Sequence, residues 1–192
     1  MPIIIPERYT SYKVIGIDPG LNNTGIAIFN IETIHNTIVS IEAFTIITDK
    51  LYNNTTLDEE LYSERMVKLY KLKSNIIDII KHFKPQTVVC ESPFYNRFRP
   101  MAYGALLETI SIIHSAIIEV DPYILFRTIE PLLIKKIIGA GSTKGKPDVK
   151  LAIQKTPLIT NVLLNDIDTL DEHSLDSIAV AYSFLNNINF FK

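Results

Sequence analysis

The chain has 192 residues, 47% hydrophobic and 21% charged, which suits one globular domain and excludes a disordered or low-complexity segment. A single cysteine, Cys90, excludes an intrachain disulfide framework and a cysteine-rich zinc site. The net charge of −2 gives no global sign of a polyanionic partner, so a nucleic-acid reading must rest on local charge.

The start, MPIIIPERYT, lacks a basic region and a small-residue cleavage site. No apolar stretch is expected to reach the ~20 residues of a membrane span. The expectation is therefore a cytoplasmic protein of a reducing compartment, with no membrane partner. Residues 13–18 (KVIGID) read as a buried strand ending at Pro19-Gly20. Residues 24–30 and 37–47 are rich in β-branched side chains, and the short connections favour an antiparallel three-strand meander. Thr56 with Glu59 is a capping-box signal for a helix running to about His82, which Pro85 stops. A short strand at 87–91 (TVVCE), a long helix at 100–120 and a strand at 123–129 follow. The remainder is mostly helical, with loops at 139–147 and around 165–170. A meander followed by alternating helix and strand predicts an α/β or α+β sheet with helices on its faces.

Six of the seven glycines fall in two segments: Gly16, Gly20 and Gly25, then Gly139, Gly141 and Gly145. Glycine marks positive φ or close backbone approach, so both segments read as special loops. Asp18 closes the first strand, where a carboxylate is either a hard ligand for Mg²⁺ or Mn²⁺ or the cap of a turn. Glu91 closes the 87–91 strand in the same way. If the two strands are parallel neighbours, the acids meet and their repulsion calls for a cation. At the last helix, Thr169 with Glu172 can form a capping box, and His173 and Asp176 share one face that continues into Ala179 and Val180. A carboxylate on an apolar stripe is costly unless the helix dipole or a ligand supports it.

From Arg127 to Lys155 there are seven basic residues and two acidic ones, a local charge of +5. Beside a glycine loop, this suits phosphate-backbone contact. The segment SPFYNRFRP carries Phe94, Tyr95, Arg97 and Arg99, a mix suited to base stacking and phosphate contact. Residues 100–120 are apolar over most of the helix circumference, so the helix is expected to be buried by the domain or by a partner.

Four pieces carry a resemblance: Gly16-Ile17-Asp18-Pro19-Gly20 with Gly25, Glu91-Ser92-Pro93-Phe94, Lys135-Lys136-Ile137-Ile138-Gly139-Ala140-Gly141, and His173-Ser174-Leu175-Asp176-Ser177-Ile178-Ala179. Their order resembles the RNase H-like nuclease superfamily and, within it, the RuvC-type Holliday junction resolvases. It implies one RNase H-like domain over 1–192, with a core at about 13–186. The expected fold is a mixed five-stranded sheet, a three-strand antiparallel meander plus parallel strands, flanked by helices. The resemblance implies a Mg²⁺-dependent endonuclease that resolves four-way DNA junctions by paired nicks, leaving 5′-phosphate and 3′-hydroxyl ends. It implies Asp18, Glu91, His173 and Asp176 as ligands of two Mg²⁺ ions, with Mn²⁺ substituting. Lys146 is expected near the scissile phosphate, with Lys144 as a competitor and Lys135 or Lys136 filling a second basic position. Phe94 is expected to wedge into the junction, Arg97 and Arg99 extend that surface, and a homodimer matches the symmetric substrate.

Other readings share parts of this pattern. They are a YqgF-like nuclease of structured RNA, a nuclease of flaps or Y-forks, an actin-like ATPase and a non-enzymatic junction binder. The ATPase needs two lobes in a short chain, and the binder has no need of four candidate ligands.

Overall fold

A computed structural model describes residues 11–51, 61–95, 97–98, 100–140 and 148–190. Five strands, β1 (Ser11–Asp18), β2 (Asn23–Glu32), β3 (Thr37–Ile47), β4 (Thr87–Glu91) and β5 (Leu125–Ile129), form one sheet in the order β3-β2-β1-β4-β5. The meander is antiparallel, and β4 and β5 join it in parallel. The meander is the one that the strand pattern predicts, and the mixed five-stranded sheet is the one that the resemblance implies.

The period of two along each strand divides the core between the sheet's faces. Val14, Ala27, Phe29 and Val89 point to one side, where they meet the last helix, α6 (Glu172–Asn187). Ile15, Ile17, Ile26, Ile28, Val88 and Cys90 point to the other, where α1 (Glu64–Phe83) and α2 (Pro100–Val120) pack. The short helices α3 (Pro131–Ile138), α4 (Val149–Gln154) and α5 (Pro157–Thr160) complete the α6 side. The outer edge of β3 is covered rather than open: Ile41 exchanges backbone bonds with Val162 and Leu164, and Ala43 N–H donates to Asn165 Oδ1 at 2.9 Å. Such cover blocks edge-to-edge association.

The glycine reading needs correction. Gly16 and Gly25 lie inside strands, beneath α6, and do not form one loop with Gly20. A Cβ at Gly16 would meet the Ser177 carbonyl oxygen and lie 2.7 Å from Ala181 Cβ. One at Gly25 would strike the His173 carbonyl. These glycines let a helix approach the sheet backbone. Gly20 sits in the β1–β2 turn, where Thr24 Oγ1 donates to its carbonyl at 2.6 Å.

Three element ends also move. Helix α1 starts at Glu64, where Ser63 Oγ accepts from Met66 N–H, and Leu61 lies exposed before it. The expected Thr56–Glu59 box lies outside the described residues. Strand β5 starts at Leu125, not 123, because the Asp121 carboxylate accepts from Tyr123 N–H and holds a turn there. The cap of α6 is Asp171, whose carboxylate accepts from Ser174 N–H at 2.8 Å, so Thr169 with Glu172 is not the box.

Helix α2 corrects the expectation that no segment matches a membrane span: its 21 residues are long and apolar enough by length and composition. Its surroundings are those of a folded domain. Thr109, Ile113, Ala116 and Ile117 are buried, and Glu108 and Glu119 pair with Arg65 and Lys73 of α1, each at 2.7 Å.

Candidate active site

The register of the sheet builds the site. Ile17 pairs with Cys90 across the parallel β1/β4 ladder, so the next residues, Asp18 and Glu91, end adjacent strands side by side. Both have the parity of Val14 and Val89, so both carboxylates face α6. Asp18 pairs with Gly25, and Gly25 with Thr45. Glu91, Asp18, Gly25 and Thr45 thus form one row across four strands, about 15 Å long at ordinary strand spacing.

The first turn of α6 lies along this row. Its cap, Asp171, accepts from Thr45 Oγ1 at 2.6 Å, and Ser174 Oγ is 2.9 Å from the same hydroxyl. The His173 carbonyl rests on Gly25, and its ring Nδ1 lies 2.8 Å from Asp18 Oδ2. Asp176, one turn further, is close enough to Glu91 to act on its charge. The sequence folds this way because a polar first turn, capped by Asp171, is followed by an apolar stretch from Ile178 that fits the sheet.

The electrostatics record the crowding. Burial, with the Asp18 and Asp176 charges adding and Lys135 opposing, raises the Glu91 carboxyl to about 8. The bond to Asp18 holds the His173 imidazole above its ordinary value, against partial burial. Burial pushes the Asp171 carboxyl up, but the bonds from Thr45 and Ser174 outweigh it and hold the group below its ordinary value. A small cleft of about 90 Å³ lies beside these acids, lined by Glu91, Ile134, Lys135, Val149 and Asp176. It adjoins residues of a wider one of about 630 Å³ that includes Lys150, Leu170 and Glu172.

The structure therefore brings Asp18, Glu91, His173 and Asp176 to one end of the sheet. Among the described residues, no group of three or more His, Cys, Asp or Glu is arranged to hold a metal ion as it stands. The donor chemistry nevertheless suits a hard divalent cation: the Asp18 and Asp176 charges both act on the half-buried Glu91 carboxyl, and Lys135 opposes them.

The two lysines of α3 separate. Lys135 lines the cleft, and Lys136 is exposed. Phe94 is 63% exposed beyond β4, and the Arg97 guanidinium lies 4.6 Å over the exposed Phe98 ring. Arg99, Lys144 and Lys146, with Gly141 and Gly145, lie outside the described residues. Sequence reasoning missed Thr45 as a neighbour of the α6 turn, since its partners are more than 120 residues away. No local signal marks it.

No protein-family model and no curated protein sequence matches the chain. Among solved structures it is similar to RuvC of Thermus thermophilus in complex with Holliday junction substrate, with a TM-score of 0.65 and 15% identity over 90% of this chain and 92% of that one. It is also similar to Ydc2, the yeast mitochondrial Holliday junction resolvase, with a TM-score of 0.63 and 13% identity over 95% and 81% of the two chains. The fowlpox virus Holliday junction resolvase aligns with a TM-score of 0.52 and 14% identity over 92% and 99%. The chain thus has the RNase H-like fold seen in RuvC-type resolvases, at identities that speak to fold alone.

Proposed function

We propose that the protein is a Mg²⁺-dependent endonuclease that resolves four-way DNA junctions by paired nicks. One observation carries this reading: Asp18 and Glu91 end adjacent parallel strands, and the first turn of α6 delivers His173 and Asp176 onto them. The likeness to three junction resolvases in fold supports the substrate class. Asp18, Glu91, Asp176 and His173 would hold two Mg²⁺ ions, with Mn²⁺ able to replace them. Bound there, the ions supply a water of lowered pKa and neutralise charge on the phosphate undergoing hydrolysis, leaving 5′-phosphate and 3′-hydroxyl ends.

The chain's own groups do the rest. Asp18, now bonded to His173, and Glu91, raised by its acidic neighbours, would both gain from a cation between them. Lys135, at the cleft wall, draws the phosphate backbone toward the acids, while Lys136 contacts DNA further out. Phe94, unburied beyond β4, offers a ring to an unstacked base at the junction centre, flanked by Arg97. Arg99, Lys144 and Lys146 belong to the same proposed DNA surface, Lys146 nearest the phosphate. The outward face of α2, with Met101, Leu107 and Ile118 exposed, takes a second copy of the chain and sets two sites against two symmetric strands.

The test uses a labelled mobile four-way junction, a flap, a linear duplex and a structured RNA, each with Mg²⁺ or EDTA, beside Asp18→Asn. Symmetric, metal-dependent nicks in the junction, lost in the variant while binding persists, support the proposal. Junction binding without cleavage under any metal refutes the enzyme. Faster cutting of RNA or flaps keeps the site and overturns the substrate.

A further inference from the structure

Thr45 belongs to none of the candidate chemistry. It sits on β3, two strands from Asp18, and no step of hydrolysis needs it. Yet its hydroxyl is the point at which the α6 cap meets the sheet. It donates to Asp171 Oδ1 at 2.6 Å and lies 2.9 Å from Ser174 Oγ. These two residues flank His173. The row Asp18–Gly25–Thr45 runs straight across the meander, so one hydroxyl at its far end sets where the turn carrying His173 rests. Gly25 permits contact with the His173 carbonyl but cannot fix it, since it has no side chain to bond.

We propose that Thr45 is a positioning residue of the candidate site, resting on the nuclease reading above. It locks the pitch and rotation of the first turn of α6 and so fixes His173 on Asp18 and Asp176 beside Glu91. A clamp at β3 and the imidazole bond at β1 hold the turn at two points across the sheet. Without the hydroxyl, the Asp171 cap still accepts from Ser174 N–H, so α6 keeps its start but its first turn loses the anchor to β3. Partners that orient metal-binding side chains typically contribute about 10- to 100-fold in metal affinity.

The experiment compares the full chain with Thr45→Val, which keeps shape and strand preference, and Thr45→Ser, which keeps the hydroxyl. Two readouts are taken below the melting range. The first is the ¹H–¹⁵N resonances of the His173 ring in metal-free protein, and the second is Mn²⁺ affinity by calorimetry. The expected result is that Thr45→Val shifts the His173 resonances and weakens Mn²⁺ binding about 10- to 100-fold, and that Thr45→Ser restores both. A Thr45→Val protein with a lower Tm but unchanged resonances and affinity overturns the proposal and leaves an ordinary structural bond. Failure of Thr45→Ser to restore either readout overturns it as well. Should Thr45→Val not fold, Ser174→Ala removes one arm of the clamp and is expected to shift the same resonances; no shift overturns the proposal. The nuclease reading fails separately. A wild-type protein that binds Mn²⁺ but cuts no junction refutes that reading and leaves Thr45 standing. If the wild type binds no Mn²⁺, the His173 resonances alone decide.

Discussion

Helices α2 and α6 are built on opposite terms. α2 is apolar almost throughout its 21 residues, yet its fully buried positions are Thr109, Ile113, Ala116 and Ile117. α6 opens with Glu172, His173, Ser174 and Asp176 and carries three serines, yet it is buried without a break from Ser177 to Leu185. The difference lies in what each helix rests on. α6 lies against strands that present glycine at two points, and its buried hydroxyls find partners: Ser177 Oγ donates to the Ser174 carbonyl at 2.7 Å. α2 packs on α1 and on the back of the sheet, and its outer face, with Met101, Leu107 and Ile118, is exposed. Burial follows from neighbours, and apolar content records only what a segment can tolerate. On the function proposed above, the buried, polar-tipped helix would supply the chemistry and the exposed, apolar one a surface.

The largest effect is expected at Asp176. Asp176→Asn keeps the shape of α6 and removes one charge from the cleft. Nicking of a labelled junction in Mg²⁺ is expected to fall on the order of 10³-fold, with junction binding in EDTA unchanged or improved. Loss of binding in step with cleavage would place Asp176 in DNA contact instead. On α2 the matching change is Leu107→Glu with Ile118→Glu. If this face takes a second copy as proposed, two charges on it are expected to weaken dimerisation on the order of 100-fold, read by sedimentation, while the monomer's far-ultraviolet spectrum stays the same. Paired nicks should then become single, uncoordinated ones. An unchanged oligomeric state would show that α2 is covered by something other than a second copy.

Much of this architecture is legible in the sequence, and the gaps have a common cause. The bounds of the 37–47 and 87–91 strands and of the 100–120 helix follow from β-branched runs and from Pro and Asp punctuation, which act within a few residues. Asp18, Glu91 and Asp176 are legible because each breaks a local apolar pattern, and His173 through its place three residues before Asp176 and through the resemblance. What escapes depends on contacts between distant segments. Ser63 lacks the Glu or Gln three residues on that would mark a capping box, and α1 starts there, where Val67 and Leu69 first find core. Gly16 and Gly25 fall within strand patterns, and nothing local announces that they serve the close approach of α6 rather than a loop. Lys135 and Lys136 are neighbours in sequence, and the rotation of α3 against α6 sends one into the cleft and the other to solvent.

Gly16 provides the next smaller effect. A methyl group there meets the Ser177 carbonyl and Ala181, backbone that cannot rotate away, so α6 must lift from β1. Gly16→Ala is expected to cost about 1–3 kcal/mol, within the range for overpacked cores. At about 2–4 °C per kcal/mol for a domain of this size, the loss is readable as a fall in Tm. Activity should fall further than stability, because His173 and Asp176 move with the helix. A drop in Tm alone would mean that the first turn is held independently of the packing below it.

Gly104 on α2 sets the smallest and sharpest contrast. It is a glycine inside a helix, and a Cβ there meets nothing within 4 Å. Within the monomer, Gly104→Ala therefore costs no packing and removes backbone freedom from the unfolded chain, a gain of about 0.5–1 kcal/mol. The sign is opposite to that at Gly16, for the same substitution in the same protein. The gain should appear as a small rise in Tm at low protein concentration, where the monomer dominates. If Gly104 lies under a second copy of the chain, the added methyl opposes association, and the rise should shrink or reverse as concentration increases. A gain independent of concentration would place the dimer contact elsewhere on α2, toward Leu107 and Ile118. A loss at every concentration would mean that α2 has a partner within its own chain at this position.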